Sequence, residues 1–273
     1  LKRRGAYRSL GNQCVDAYQP YPSNDSSGRL GWLMGGQQVT DVIPGSLVSS
    51  SLTWETATQW DLGLDFVMLR NRLRGSFDYY ERRTSDILIA GKKLPAVLGA
   101  SSPVANAAEI KTRGWEFEVS WSDRLDNGLA YSVGFNISDY QAEVTKFDNP
   151  SGDLSQTYYE GMKVGEIWGY QTLGLFQSQE EIDNAPDHSK LYGKQPQIGD
   201  IRFANRNGDN EIYRGNNTLD DPGDMYVIGN STPRYQYGIR ASAEWKNFDL
   251  NLFFQGVGKR DLQLPNKLFL VHY

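Results

Sequence analysis

The sequence predicts an all-β fold, and three observations lead to it. Several segments alternate apolar and polar residues with a period of two, and they come in pairs that form hairpins. The connections between the hairpins are far longer than the turns within them. Aromatic residues make up 12% of the chain, which suits half-buried strands, sugar-stacking surfaces and membrane interfaces alike. A chain of 273 residues has room for one large β domain or two smaller ones.

Three hairpins are predicted, at residues 60–80, 115–138 and 235–255. In the first strand the alternate residues are apolar and those between them are polar or glycine: Trp60, Leu62, Leu64, Phe66 and Met68 against Asp61, Gly63 and Asp65. The second hairpin turns at Asn127-Gly128, a strong turn signal because both residues tolerate positive φ. Residues 1–51 are rich in turn residues, including Gly11-Asn12, and are expected to form a strand end followed by a long loop.

The unequal connections favour a membrane barrel without excluding a soluble sandwich. About 30 residues separate Glu81 from Arg113, and nearly 100 separate Asp139 from Arg234. Strands of roughly ten residues with short turns at one end and long loops at the other are how outer-membrane barrels are built. Loops this long are uncommon in compact soluble domains unless they are functional. From alternation alone, the apolar face could contact lipid or a second sheet.

Composition excludes several classes of protein. The net charge of −5 argues against a protein that binds nucleic-acid backbones. The sequence contains no run of 18 apolar residues, so no transmembrane helix is predicted. The single cysteine, Cys14, cannot form an internal disulfide or a cysteine-cluster metal site. The chain begins at Leu1 without a signal peptide, so we expect that an export signal was removed or that this is a piece of a longer chain.

The longest connection contains two further local signals. Ser178 and Glu181 have the spacing of a capping box, which predicts the start of a short helix. Asn205, Asn207 and Asp209 stand at positions one, three and five of a polar loop over residues 205–211, a spacing that can direct oxygens onto Ca²⁺. No glutamate stands at position twelve, and a turn stabilised by its own Asn and Asp side chains is the alternative. No other cofactor is predicted.

Four aromatic residues in the same connection are candidates for substrate contact: Tyr158, Tyr159, Trp168 and Tyr170. Their rings could stack on a sugar or contact a peptide, and the alternative is that they pack within the loop.

Enzymatic chemistry is not predicted. Glu116 and Glu118 share one face of a strand, and a glycosidase would need such paired carboxylates. A simpler explanation is that Glu116 and Glu118 lie on the polar face of a strand, and that Asp220, Asp221 and Asp224 form an acidic turn. The chain has only two histidines, His188 and His272, and no phosphate-binding glycine loop or Ser-His-Asp arrangement.

A family resemblance rests on six stretches of sequence. These are LTWETATQWDLGLDF (52–66), FDYYERRTSDIL (77–88), LPAVLGASSPVANAAEIKTRGWEFEVSW (94–121), YYEGMKVGEIWGYQTLGLF (158–176), GDIRFANRNGDNEI (199–212) and the segment from VIGNSTPRYQYG (227–238) to FFQGVGKRD (253–261). In order and nearly throughout, the chain resembles the C-terminal half of a SusC/RagA-type TonB-linked outer-membrane transporter of Bacteroidetes. The loop at 205–211 departs from the family pattern at Asn205 and Asn210.

The resemblance implies that residues 1–273 are the C-terminal portion of a 22-stranded receptor barrel, with the plug domain and final strands absent. It implies a location in the outer membrane, in contact with lipid. It also implies a SusD-like surface lipoprotein as partner and energy from a TonB complex acting through the missing N-terminal part. The expected activity is import of a bulky nutrient, an oligosaccharide first and a peptide second. The alternative function is a soluble extracellular carbohydrate-binding β-sandwich module.

Overall fold

The structure is a computed structural model that describes residues 1–12, 24–27, 33–38, 41–44, 47, 49, 52–90 and 103–263. Its strands are β1 (Lys2–Asn12), β2 (Asn24–Ser27), β3 (Leu33–Met34), β4 (Gln37–Gln38), β5 (Asp41–Pro44), β6 (Glu55–Met68), β7 (Leu73–Ala90), β8 (Val104–Arg124), β9 (Ala130–Lys146), β10 (Glu166–Gly169), β11 (Thr172–Leu175), β12 (Ile201–Phe203), β13 (Tyr226–Asn230), β14 (Arg234–Trp245) and β15 (Phe248–Lys259). Its helices are α1 (Gln179–Asp183) and α2 (Ser189–Tyr192).

Seven of these strands form one antiparallel sheet in the order β1-β6-β7-β8-β9-β14-β15. The expected all-β fold is therefore confirmed. The sheet is open, since β1 and β15 are its two edges. Neither helix in the described ranges is long and apolar enough to cross a membrane.

The three predicted hairpins are confirmed, and all their turns lie at the same end of the sheet. The turns cover residues 69–72, 125–129 and 246–247. Backbone φ is positive at Leu69, Arg70 and Asn71 in the first turn and at Lys246 in the third. A left-handed backbone at these positions matches the twist of the two strands that each turn joins. The long connections leave from the opposite end of the sheet, as the sequence predicts.

The central strands are longer than the predicted ten residues or so. Strands β6 to β9 contain 14, 18, 21 and 17 residues, and β7 pairs with β8 as far as Ala90 opposite Val104. The connection predicted between Glu81 and Arg113 is therefore mostly strand, and this expectation was wrong. Beyond the apolar part, the strands stay paired through their backbone hydrogen bonds and through ion pairs between polar side chains. Asp86, with φ of 58°, lies where the register shifts between β7 and β8.

The first 51 residues contain more strand than predicted. Gly11 and Asn12, expected in a turn, are the last residues of β1 and pair with β6. Gly35 and Gly36 form the turn between β3 and β4, both with positive φ. The described parts of this region otherwise form the short antiparallel pair β2–β5. Several of its predicted turns, Cys14, residues 94–102 of the resemblance and residues 264–273 lie outside the described residues.

Residues 147–233, between β9 and β14, fold into a compact excursion rather than an irregular loop. It contains the two-stranded sheets β10–β13 and β11–β12 and both helices. The helix predicted at Ser178 is confirmed: the Ser178 side chain accepts a hydrogen bond from the backbone N–H of Glu181. The Glu181 carboxylate accepts a hydrogen bond from the backbone N–H of Gln177, one residue before the cap, at 2.8 Å.

Fully buried side chains concentrate in this excursion and are scarce in the large sheet. Among the described residues, four of the five largest fully buried side chains lie between 147 and 233: Phe176, His188, Ile212 and Asp224. The fifth, Val144, lies near the end of β9, the strand that leads into the excursion. Within the described residues, the large sheet therefore has few fully buried side chains of its own. The chemical character of each of its faces indicates what that face contacts.

Candidate functional site

One face of the large sheet is apolar and uncovered. Leu62 of β6, Leu250 of β15 and Phe254 of β15 are 57%, 55% and 60% exposed, and no described segment packs over them. Exposed apolar area of this extent marks a surface that contacts lipid or another protein. The apolar run from Trp60 to Met68 measures roughly 26 Å along the strand, or about 20 Å after a tilt of ~40°, near the height of a barrel's lipid-facing band.

An aromatic row borders the apolar band on the side of the long connections. Tyr7, Trp60, Tyr79 and Trp115 lie near one another on four neighbouring strands, and the ring centroids of Trp60 and Tyr79 are 5.4 Å apart. At the turn end, Trp121 donates its indole N–H to the Tyr131 hydroxyl at 3.2 Å. Amphipathic aromatic rings at both limits of an apolar band are typical of membrane interfaces.

Charged residues replace apolar ones on the same face just beyond that row. Glu81 forms ion pairs with Lys111 at 3.0 Å and Arg113 at 2.8 Å, and Arg83 pairs with Glu109 at 2.8 Å. Charged side chains would be costly inside hydrocarbon, so this boundary fixes how far the apolar band extends.

The opposite face of the sheet is polar. Arg4 of β1 reaches across β6 and donates to Asp65 at 2.8 Å and to Asp78 of β7 at 2.9 Å. Glu116 and Glu118 of β8 continue this surface and are exposed. They lie on the wall opposite the apolar band, which agrees with the simpler explanation of these carboxylates. A polar inner wall and an apolar outer face are what a water-filled barrel requires.

Aromatic rings cover glycines on both faces. A Cβ added to Gly75 would lie 2.3 Å from Cζ of Phe66, and one added to Gly114 would lie 2.4 Å from the Tyr80 hydroxyl. A ring that lies over a glycine of the neighbouring strand shields the backbone that has no side chain of its own. These pairs therefore stiffen the wall at positions where a larger residue would not fit.

Contacts near the base of the excursion join its separate parts to each other and to the segment just after β15. The Asn230 side-chain amide and the Thr232 hydroxyl both donate to the carbonyl of Val164, at 3.1 and 2.9 Å. The backbone N–H of Asn230 donates to Asp261 at 2.7 Å. Asp139, beside the last β9 residue that pairs with β14, forms an ion pair at 2.5 Å with Arg234, the first residue of β14. Such contacts hold a long insertion in one orientation over the sheet end.

The four predicted contact aromatics lie in this excursion, but they do not form one surface. Tyr159 is 8% exposed and contacts Trp168, with ring centroids 6.3 Å apart. Tyr158 packs edge-on against Phe147, and Tyr170 lies 5.4 Å from the ring of Phe203. All four rings thus have partners within the excursion, as the packing alternative requires, and their contact with a substrate stays a prediction.

Tyr159 holds the centre of one of these contacts. Its hydroxyl donates to the carboxylate of Glu166 and accepts from the Trp168 indole N–H at 3.3 Å. Burial and the hydrogen bond to Glu166 raise the pKa of Tyr159 to about 12. This hydroxyl therefore stays protonated at neutral pH and serves as a structural donor.

The oxygens predicted to bind Ca²⁺ are engaged in turns. Asn205 Oδ1 accepts from the N–H of Gly208 at 2.7 Å, and Asn207 Oδ1 accepts from the N–H of Asp209 at 3.2 Å. Asp209 Oδ1 accepts from the N–H of Glu211 at 2.9 Å, a bond that heads the causes lowering the pKa of this carboxyl. No group of three or more His, Cys, Asp or Glu side chains within the described residues could hold a metal. The calcium site stays a prediction.

Two buried polar residues organise the excursion and were not singled out as functional from the sequence. His188 Nδ1 donates to the Pro186 carbonyl at 2.6 Å, because Nε2 accepts from the backbone N–H of Phe203 at 3.0 Å. Asp224 accepts from the backbone N–H groups of Arg206 and Tyr213 at 2.7 and 3.0 Å. Asp224 thus closes the polar loop at both ends. The acidic turn 220–224 stands out in the sequence, but no pattern in it distinguishes its one buried carboxylate.

A cleft of about 560 Å³ opens between α1 and β12. Its lining includes the side chains of Glu180, Asn184, Arg202, Phe203 and Asn205. Arg202 Nε is the one buried side-chain nitrogen or oxygen, among the described residues, that has no hydrogen-bond partner. The volume is in the range of small-ligand sites, and no sequence motif indicated it.

Comparison with known proteins gives a consistent result. A family model described as "TonB dependent receptor-like, beta-barrel" matches residues 16–267. The chain is similar to TonB-dependent receptor P3 of Formosa agariphila, with 31% identity over 268 residues. It is also similar to the TonB-dependent receptor SusC of Bacteroides thetaiotaomicron, with 26% identity over 206 residues. Among solved structures, the RagAB peptide importer in its open-open state matches with a TM-score of 0.69 at 16% identity.

These relatives are longer than the chain. The match to receptor P3 covers 93% of this chain and 25% of the relative, and the match to SusC covers 74% and 19%. The match to the RagAB structure covers 93% of this chain and 25% of the other. The chain therefore spans about a quarter of the length of the first of these relatives.

Proposed function

This chain belongs to the TonB dependent receptor-like β-barrel family, an outer-membrane family, and from that premise we propose that it forms part of a pore that imports a bulky nutrient. Its named relatives are receptors rather than enzymes. The nutrient is an oligosaccharide or a peptide, and the import depends on TonB. No covalent chemistry is assigned to this chain.

The observation that carries the proposal is the two-sided sheet. Its outer face carries apolar residues bounded by aromatic rows, and its inner face carries Arg4, Asp65, Asp78, Glu116 and Glu118. A wall of this kind separates lipid from water and lets a polar solute pass along it. A soluble β-sandwich would instead bury the apolar face under a second sheet, and no such sheet lies there within the described residues.

The excursion is the part of this chain best placed to meet solute and partner. It stands at the sheet end from which all the long connections leave, which in outer-membrane barrels is the extracellular end. Exposed apolar residues on it are available for a partner: Leu173, Leu175, Ile198 and Ile201. We assign to it contact with a SusD-like lipoprotein, which the sequence resemblance implies. A match in fold to a peptide importer supports including peptides among the nutrients.

Growth and uptake measurements test the proposed function. A strain that lacks the gene is supplied with fluorescently labelled oligosaccharides or peptides as defined mixtures, with and without a plasmid that restores the gene. Energy-dependent uptake that returns with the plasmid and stops with a protonophore is expected. Uptake that continues in the deletion strain at the same rate would contradict the function. Co-purification of a lipoprotein with the tagged receptor tests the partner separately.

A further inference from the structure

The cleft beside Arg202 holds a guanidinium group without a counter-ion. Arg202 forms no ion pair with a described residue, its Nε is buried without a partner, and its Nη2 reaches the Leu173 carbonyl only at 3.5 Å. A buried donor without a partner is unfavourable, and each such group in a folded protein calls for an explanation. A ligand carboxylate in the cleft would supply the missing counter-charge to the guanidinium.

The strand that carries Arg202 is held rigidly. Its neighbour Phe203 donates its N–H to His188 and packs its ring against Tyr170. On the other side, Ile201 pairs with Leu175 of β11 and its carbonyl accepts from the hydroxyl of Tyr192 at 2.7 Å. A site on a fixed strand can direct a guanidinium fork toward a carboxylate without a large entropic cost.

A carboxylate without a partner lines the same cleft. The Glu180 side chain forms no hydrogen bond or ion pair within the described part of the chain, although its backbone carbonyl accepts from Asn184. Glu180 and Arg202 are not an ion pair with each other. Glu181, the other acid of the lining, already accepts from the N–H of Gln177 at 2.8 Å. The cleft therefore offers one unpaired positive group and one unpaired negative group.

Two opposite charges left apart in one cleft select the chemistry of the ligand. A neutral sugar would satisfy neither charge, and a uronic acid oligomer would meet Arg202 while facing repulsion from Glu180. A peptide with free ends carries a carboxylate and an ammonium group on one short chain. Leu173, Pro186 and Phe203 add apolar surface for side chains, and Asn184 and Asn205 add amide groups for the peptide backbone.

We propose that the cleft binds a short peptide with free termini, whose carboxylate pairs with Arg202 and whose ammonium group faces Glu180. This site would narrow the imported nutrient to peptides. It rests on the proposed import function only for the step in which the bound peptide then passes through the pore. Binding in the cleft is measurable apart from that passage.

The test is calorimetric titration of the intact receptor in detergent with tetra-alanine. Three forms of the peptide are used: free termini, amidated C-terminus and acetylated N-terminus. We expect the free peptide to bind, and Arg202→Gln to weaken it by roughly tenfold or more, the usual effect of losing a charged hydrogen bond. Amidation should weaken binding to the unmodified protein similarly and have no further effect on Arg202→Gln, since both remove the same pair.

Matched variants distinguish the loss of the contact between Arg202 and the peptide carboxylate from a change in the net charge of the protein and from misfolding. Arg214→Gln removes the same charge from an exposed position of the excursion outside the cleft and should bind like the unmodified protein. Glu180→Gln should weaken the free peptide but not the acetylated one. Arg202→Lys keeps the charge but loses Nε, and its affinity should fall between the unmodified protein and Arg202→Gln.

Several results would overturn the site. They are equal binding by Arg202→Gln and Arg214→Gln, equal binding of the amidated and free peptides, absence of tetra-alanine binding, or tighter competing binding by trigalacturonate. If uptake persists while the cleft binds no peptide, only the peptide site fails. If the cleft binds peptide and no nutrient is taken up, the proposed import function fails and the site stands.

Discussion

Arg234 and Asp139 form a two-pronged ion pair that joins residues 95 positions apart in sequence. Arg234 Nε and Nη2 donate to the two carboxylate oxygens of Asp139 at 2.5 Å each. The Asp139 side chain is 6% exposed and that of Arg234 is 26% exposed. The pair closes the base of the excursion, because Asp139 lies in the strand that enters it and Arg234 begins the strand that leaves it.

We expect Asp139→Asn to loosen the excursion without unfolding the barrel. Removing one partner leaves a half-buried arginine without its counter-charge, at a cost of about 1–3 kcal/mol given the partial exposure. Limited proteolysis of the membrane-inserted protein should show faster cleavage within 147–233. Arg4→Gln, which breaks a more exposed pair on the inner wall, is the control and should leave this cleavage unchanged. Unaltered cleavage in Asp139→Asn would contradict a clamp.

His188→Ala should release β12 from the excursion. The substitution removes both ring hydrogen bonds and the packing against Phe176 and Phe203, for about 2–4 kcal/mol of local stability. Hydrogen exchange should accelerate at the Phe203 amide. Lys194→Ala, at an exposed position of the same segment, is the matched control. Similar exchange at the Phe203 amide in both variants would show that His188 does not hold β12 in place.

The raised pKa of Tyr159 predicts a loss of excursion stability at alkaline pH. Below about pH 10 the tyrosine is protonated in both folded and unfolded states. Between about pH 10 and 12 only the unfolded state releases the proton, so stability falls as pH rises, by on the order of 3 kcal/mol in total. Tyr159→Phe should flatten this decline in denaturant titrations at pH 9 and pH 11. The same decline in both proteins would assign it to other tyrosines.

Leu64→Arg and Asp65→Asn test which face of the sheet meets lipid. Leu64 lies on the apolar face opposite Phe77, and a charge there should cost about 2–4 kcal/mol if it is near the membrane midplane. Asp65 faces the inner wall and pairs with Arg4, so its replacement should have a small effect. Heat-modifiable migration on gels reports assembly in the membrane. Equal assembly of both variants would refute the facing assignment.

Gly75→Ala and Gly134→Ala test the ring cover in the wall. A methyl group at Gly75 would lie 2.3 Å from the Phe66 ring and 2.9 Å from the Glu118 carbonyl, so something must move, at about 1–3 kcal/mol. At Gly134 the nearest side-chain atom, Ser120 Cβ, is 3.9 Å away. Thermal unfolding in detergent should therefore be lowered by the first substitution and not by the second. A reversed order would contradict the close packing.

The all-β class and the three hairpins are already predicted by the amino-acid sequence. Period-two alternation and turn residues such as Asn127-Gly128 are local, so they can be read without the fold. The cap at Ser178 is local in the same way, and the structure confirms it. The likeness of the chain to its family also lies in sequence order alone.

The ends of the central strands and the contents of the excursion become visible only in the folded chain. Strand length beyond the apolar band depends on cross-strand partners such as Arg83 and Glu109, which no local pattern shows. The burial of His188 and Asp224, and the unpaired guanidinium of Arg202, likewise depend on segments that meet only after folding. Local chemistry prescribes the strands and turns, whereas burial and pairing arise from contacts between residues distant in the chain.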